Sequence, residues 1–149
     1  MNQGDFATFV ASNIDLMKGV HPEAPEDLAR YEAELGFHLP SSMKWLLSTH
    51  GYSMACGVSN LEDSVKTTLE CRNSISLPKD VLVINDWNDG GVIFAIAREC
   101  EESEYEIFWG DAGDLYEYAD GKPISGSVER FANFPAWVAD RVRFERENV

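Results

Sequence analysis

The sequence predicts an α+β fold: a mostly antiparallel sheet of about four to six strands, packed by N-terminal and C-terminal helices. Three observations predict it. Apolar residues recur at three- and four-residue spacing from Phe6 as far as Leu69. From Leu77 the period changes to short apolar runs divided by turns rich in Gly, Asn and Asp. Helical spacing then returns after Ser127. A chain of 149 residues is most simply one domain, 1–149, and is long enough to bury an ordinary core.

Phe6, Phe9, Val10, Ile14 and Met17 line one face of a first helix over Asp5–Met17, which Gly19 stops. His21 to Pro25 is a linker, because its two prolines deny it helix and central-strand roles. Pro25–Leu35 is the second helix. Proline suits its first turn, Glu26 and Asp27 complement its dipole, and Leu28, Tyr31 and Leu35 are its stripe. Gly36 is placed for the left-handed cap conformation. Pro40-Ser41-Ser42 opens a third helix, with either serine able to cap it, and Gly51 is its C′ residue. Tyr52–Ser59 is a loop, and Asn60 is placed to cap a fourth helix through Leu61, Val65 and Leu69, although Thr67, Thr68 and Cys71 fit a strand as well.

Val81–Ile84, Val92–Ala97 and Tyr105–Trp109 are expected strands, the second apolar on both faces and hence central. Asn85 to Gly91 is expected to form the turn between the first two. Gly110–Asp114 is expected to turn the chain again, and Leu115–Ala119 to return as a strand with Tyr116 and Tyr118 on one face. Ser127 is expected to start the last helical region, with Val128 and Phe131 inward. Asn133-Phe134-Pro135 restarts it, carrying Trp137, Val138 and Val142. The basic tail from Arg141 to Arg146 suits a helix C-terminus.

Charge is the most informative bulk property. The net charge is −14, and the segment Asp86–Asp120 holds eleven acids against one base, Arg98, a net −10. Such a field repels phosphate backbones and anionic membranes, so neither nucleic acid nor membrane is an expected partner; a basic protein is. No apolar run is long enough to cross a bilayer. The N-terminus lacks a basic region followed by an apolar one, so no signal peptide is expected. Three widely spaced cysteines, Cys56, Cys71 and Cys100, argue against a disulfide framework and for a reduced, cytoplasmic setting.

No motif amounts to a catalytic or cofactor site. His21, His38 and His50 lack the spacing of zinc ligands, and no metal or cofactor is expected. Cys56 with His50 as base would be a nucleophile pair, but no orienting group or oxyanion site accompanies them; a small loop thiol is the plainer reading. Asp86–Asp89 and Asp111–Asp114 lack the alternating ligands of a calcium loop and suit turns better. Gly90-Gly91 lacks the rest of a phosphate loop.

The constellation that stands out interleaves Trp87, Tyr105, Trp109, Tyr116 and Tyr118 with acids, a combination in which rings anchor an interface and carboxylates steer a basic partner. Its candidate partner-binding residues are Asp86, Trp87, Asp89, Glu99, Glu101, Glu102, Glu104, Glu106, Asp111, Asp114, Tyr116 and Tyr118.

One stretch also resembles a known family. Glu32/Glu34, Leu35-Gly36-Phe37-His38-Leu39-Pro40, Trp45-Leu46-Leu47 and His50-Gly51 follow the pattern of the SUKH superfamily. The match resumes at Leu77–Ile84, at Gly90–Ile96, and at Phe131, Phe134 and Trp137. That pattern has Asn-Gly where this chain has His50-Gly51. It often has an aspartate after the central strand where this chain has Ala97-Arg98, which leaves Glu99 as the neighbouring carboxylate for that role. The resemblance implies a non-enzymatic protein-binding domain. One branch comprises bacterial immunity proteins, which would make the partner a basic toxin domain such as a nuclease, occluded through the acidic surface. The alternative is a cytoplasmic regulatory or scaffolding module binding a host protein, like the branch that regulates fungal cell-wall synthesis.

Overall fold

The computed structural model describes residues 1–87, 89–97 and 104–148. Among these residues seven α-helices and four strands follow in the order α1 (Gln3–Ser12), α2 (Ile14–Met17), α3 (Pro25–Leu35), α4 (Ser41–Thr49), α5 (Leu61–Ser74), β1 (Val81–Asp86), β2 (Gly91–Ile96), β3 (Glu106–Asp111), α6 (Ala112–Ala119), β4 (Glu129–Phe131) and α7 (Phe134–Glu147), with one 3-10 turn at Met54–Cys56. The strands form one antiparallel sheet in chain order, β1-β2-β3-β4. This is the α+β fold expected, with four strands.

Alternation along the strands divides the core in two. Leu82, Ile84, Ile93, Ala95 and Ile107 face a large cluster built from helices, with Phe6, Leu46, Phe134 and Trp137 at its centre. Val81, Val83, Val92, Phe94, Ile96 and Phe108 face the other way, toward Leu115, Tyr118 and Ala119 of α6. Phe94 and Phe108 stack across β2 and β3 at 5.2 Å. Both faces of the central strand are thus buried, as its unbroken apolar run demands.

Three elements depart from the sequence expectation. The first helix breaks at Asn13, whose side-chain amide donates to the Phe9 carbonyl and leaves α2 as a separate turn. Leu115–Ala119 is helix, not a returning strand. Asp111 and Asp114 resemble turn residues, but Asp114 Oδ2 accepts the Asp111 backbone N–H at 2.9 Å, the returning half of a capping box. Ala112, Leu115, Tyr118 and Ala119 then meet the sheet at helical spacing, so Tyr116 and Tyr118 share no strand face. Finally, Glu129–Phe131 is a short edge strand paired with Ile107–Trp109, not helix. Val128 and Phe131, three apart, suit either element, and pairing with β3 decides between them.

The corner between α3 and α4 is held from several directions. Gly36 takes φ +86° and ends α3. Glu32 Oε2 accepts the Leu39 N–H at 2.7 Å and lies 3.2 Å from Lys44 Nζ. Tyr105 donates its hydroxyl to the His38 carbonyl, and Arg72 donates to the Leu35 carbonyl. The start of α4 is capped from far away in sequence. Pro40 occupies the N-cap and makes no side-chain bond. The orphan donors are taken by Glu104, whose two carboxylate oxygens accept the Ser42 N–H and hydroxyl, each at 2.7 Å. Ser42 is therefore held by the cap; neither serine supplies it, contrary to the sequence expectation.

The outer edge of β1 is closed by side chains of α5. Thr68 Oγ1 accepts the Val83 N–H at 2.9 Å, and the Ser64 hydroxyl donates to the Ile84 carbonyl at 2.6 Å. Both hydroxyls are buried. They stand in for the next strand and blunt an edge that would otherwise template pairing.

β1 also carries a bulge. Val83 pairs with Phe94, but Asn85 pairs with Ile93, so Ile84 is the extra residue. Cross-strand partners share a face. The bulge therefore returns Asn85 to the helix side, the face of Ile93, after Ile84 has already used it. Trp87 follows two residues later and meets Trp109 on that same side, with ring centroids 6.5 Å apart.

Thr68→Val keeps shape but removes the acceptor of the buried Val83 N–H, and is expected to cost about 1–3 kcal/mol in urea unfolding while Thr68→Ser costs less. Glu104→Ala, which strips the remote cap from α4, is expected to lower stability by about 1–2 kcal/mol; an unchanged urea midpoint would show that α4 does not depend on it.

Candidate functional site

The surface feature best suited to binding is a groove of about 700 Å³ on the helix side of the sheet. The β1–β2 hairpin supplies Asn85, Trp87, Asp89 and Gly91. β3 supplies Trp109, α7 supplies Arg141 and Phe144, and the segment after α4 supplies Tyr52 to Ser59, with Val20 beside them. Of the seven large apolar side chains that the described residues leave exposed, four line this groove: Val20, Met54, Trp87 and Phe144. Met54 is 95% exposed. Clustered exposed apolar groups of this kind mark interaction surfaces, whereas scattered ones do not.

The floor is aromatic. Trp109 stands edge-on to Trp137 at 5.6 Å, and Trp137 to Phe131 at 5.2 Å. The Arg141 guanidinium carbon lies over three rings: Trp109 at 5.4 Å, Trp137 at 5.5 Å and Phe144 at 4.6 Å. Trp137, Arg141 and Phe144 recur at helical spacing, so α7 presents them on one face. Gly57, φ +74°, lets the loop lie directly on the Trp137 indole. A Cβ there would fall 2.3 Å from Trp137 Nε1. Val20 and Tyr52 are paired by two backbone hydrogen bonds. Tyr52 donates its hydroxyl to Glu23 and accepts the Leu61 N–H, and burial first, then the Glu23 carboxylate, pushes its phenol far above the ordinary range. That side chain is a fixed post beside the groove.

The twelve residues singled out by sequence do not gather in one place. Asp86, Trp87 and Asp89 lie at the hairpin, with both carboxylates exposed and Trp87 41% exposed. Asp89 Oδ1 also accepts the Gly91 N–H at 2.9 Å, the turn chemistry expected of it. Glu104 caps α4. Glu106 faces Arg130 at 3.8 Å. Asp111 ends β3 opposite Gly91, and Asp114 closes the α6 cap. Tyr118 packs into the second core on the opposite face of the sheet, while Tyr116 is exposed on the same helix. Glu99, Glu101 and Glu102 lie outside the described residues, as does Arg98.

Sequence reasoning passed over Val20, Met54, Arg141 and Phe144. The Trp137–Arg141–Phe144 spacing was the available signal for the last two. Met54 had none, since a single methionine in a polar loop shows nothing of the face it joins.

Cys56 and His50 do not form a pair. Cys56 is buried, and its thiol donates toward the carbonyls of Ser53 and Val58. His50 packs edge-on to Trp45 at 5.5 Å. Burial pushes the Cys56 thiol above its ordinary range, the opposite of what a nucleophile needs. Cys71 is shifted the same way by burial and the nearby Asp86 and Glu70 carboxylates. Both are free thiols. Among the described residues, no group of three or more His, Cys, Asp or Glu is arranged to hold a metal ion, and no helix is long and apolar enough to cross a membrane.

The fold and groove together define an α+β domain in which a two-faced antiparallel sheet carries an aromatic recess on its helix side. The chain belongs to the SMI1 / KNR4 family (SUKH-1), whose sequence model matches residues 22–139. The resemblance carried by Leu35–Pro40 and the two central strands is thereby borne out. No curated protein matches the chain.

In a Cys100→Ser background, Cys56 and Cys71 are expected to react with a disulfide reagent at pH 7 far more slowly than a free thiol, and to reach the free-thiol rate only when urea unfolds the chain. A fast native thiol would reopen a nucleophilic role for one of them.

Proposed function

We propose that this chain is a non-catalytic protein-binding domain of the immunity kind, which neutralises a basic toxin by covering its working surface. One observation carries the reading: the exposed apolar groove, with Trp87 and Phe144 as anchors, opens beside the exposed carboxylate of Asp89 in a chain of net charge −14. Buried rings supply most of the energy of a protein interface, and the surrounding charge sets encounter rate and partner choice. A basic toxin, such as a nuclease that holds phosphates with Lys and Arg, matches both. Its cations would meet Asp89 and the negative field of the chain while an apolar side chain enters the groove. Glu104 and Glu106 support the fold and sheet instead, through Ser42 and Arg130. Membership of the family accords with this reading.

The test separates anchor from field. With the captured partner in hand, Trp87→Ala is expected to weaken binding at least tenfold, mainly through faster dissociation. Reversing Asp86, Asp89, Glu101 and Glu102 together to lysine is expected to slow association and to abolish its dependence on salt. Binding that ignores both changes would overturn the proposal. A partner that is a resident regulatory protein, bound without loss of any toxic activity, would favour the scaffolding role.

A further inference from the structure

The described arginines differ in one respect. Arg30, Arg130, Arg143 and Arg146 each meet a carboxylate, and Arg72 donates to two backbone carbonyls. Arg141 alone among them has only rings around its guanidinium. A guanidinium carries five N–H donors and never loses its charge. Rings satisfy its faces but give those donors no oxygen. Here such a group is half-buried in a groove of ligand size, between Trp109 and Phe144.

We propose that the groove receives the C-terminal residue of a partner polypeptide, with its α-carboxylate on Arg141 and its large apolar side chain between Trp87 and Phe144. Two features select a chain terminus over an internal acidic side chain. A terminal residue carries carboxylate and apolar side chain on one carbon, so a single recess can hold both. It also needs only one way out for the chain, and the exposed carboxylate of Asp89 lines the recess that the chain leaves. An acidic segment is repelled there, while basic residues preceding the terminus are attracted. The recognised sequence is therefore a basic stretch ending in a large apolar residue with a free carboxylate. Bidentate contact of guanidinium with carboxylate is the geometry that gives such a site its selectivity.

This inference rests on the groove being a protein-binding site, and the experiment separates the two. The probes are acetyl-Lys-Lys-Phe as the free acid, the same peptide as its C-terminal amide, and acetyl-Lys-Lys-Phe-Glu-amide, which carries an internal-type carboxylate. Binding is followed by calorimetry and by fluorescence of the groove tryptophans. The free acid is expected to bind saturably and at least about tenfold more tightly than either other peptide. Arg141→Gln is expected to remove that preference, and Arg141→Lys to restore only part of it. Equal binding of acid and amide, tighter binding of the glutamyl peptide, or no binding of the free acid overturns the proposal. Should Arg141→Gln fail to fold, the comparison of the three peptides on the native chain decides alone. If the peptides fail while a basic protein partner still binds and loses affinity on Trp87→Ala, only the terminal-carboxylate assignment falls.

Discussion

A four-stranded sheet that is apolar on both faces can leave neither face in water, and most of the architecture answers that constraint. β2 places Val92, Phe94 and Ile96 on one side and Ile93 and Ala95 on the other, all buried. Five side chains of this size represent several kcal/mol of transfer free energy on each face, at about 1.5–3 kcal/mol for each fully buried large one. The N-terminal helices and α7 cover the first face, and α6 with the end of α5 covers the second. At the β1 edge two hydroxyls of α5 take the outward backbone groups, and at the other edge β4 is only three residues long. Even the Glu104 cap belongs to this logic, because it fixes the start of α4, whose Met43, Leu46 and Leu47 complete the larger core.

The parts legible in the sequence are those where one local rule decides. Pro25, Gly36, Asn60 and Asn133 mark helix ends by cap chemistry, and each does so in the structure. The central strands declare themselves by unbroken apolar runs. The misread parts are those where local chemistry serves two outcomes. Asp111–Asp114 can turn a hairpin or cap a helix, and the bare face of Phe94 and Phe108 selects the helix. Ser42 has the chemistry of a cap, yet Pro40 takes the position and a carboxylate 62 residues away does the bonding. No window of sequence contains that pairing.

The same separation applies to charge. In sequence the acids between Asp86 and Asp120 form one block. In the structure Glu104 ties down a helix, Asp114 caps another, Glu106 balances an arginine, Asp86 lies beside α5, and Asp89 lines the groove. The block is thus several unrelated devices that share a sign. The groove itself draws on five separate stretches of chain, and of its residues only Trp87, Asp89 and Trp109 stood out in the sequence. A groove assembled this way is invisible to the family pattern, which records caps and strands.

The single extra residue in β1 has a further consequence. Strand pairing up to Val83 locks the core, while everything beyond Ile84 is set one step out of phase with it. Losing or gaining one residue at that position would rotate the hairpin tip by half a pleat, turning Asn85 and Trp87 away from the recess and presenting their neighbours instead, with every core contact below left in register. Length change at the tip is then a route to a new binding surface in one mutational step. Descendants of such a chain could exchange partners by insertion and deletion, on a scaffold that need not change at all.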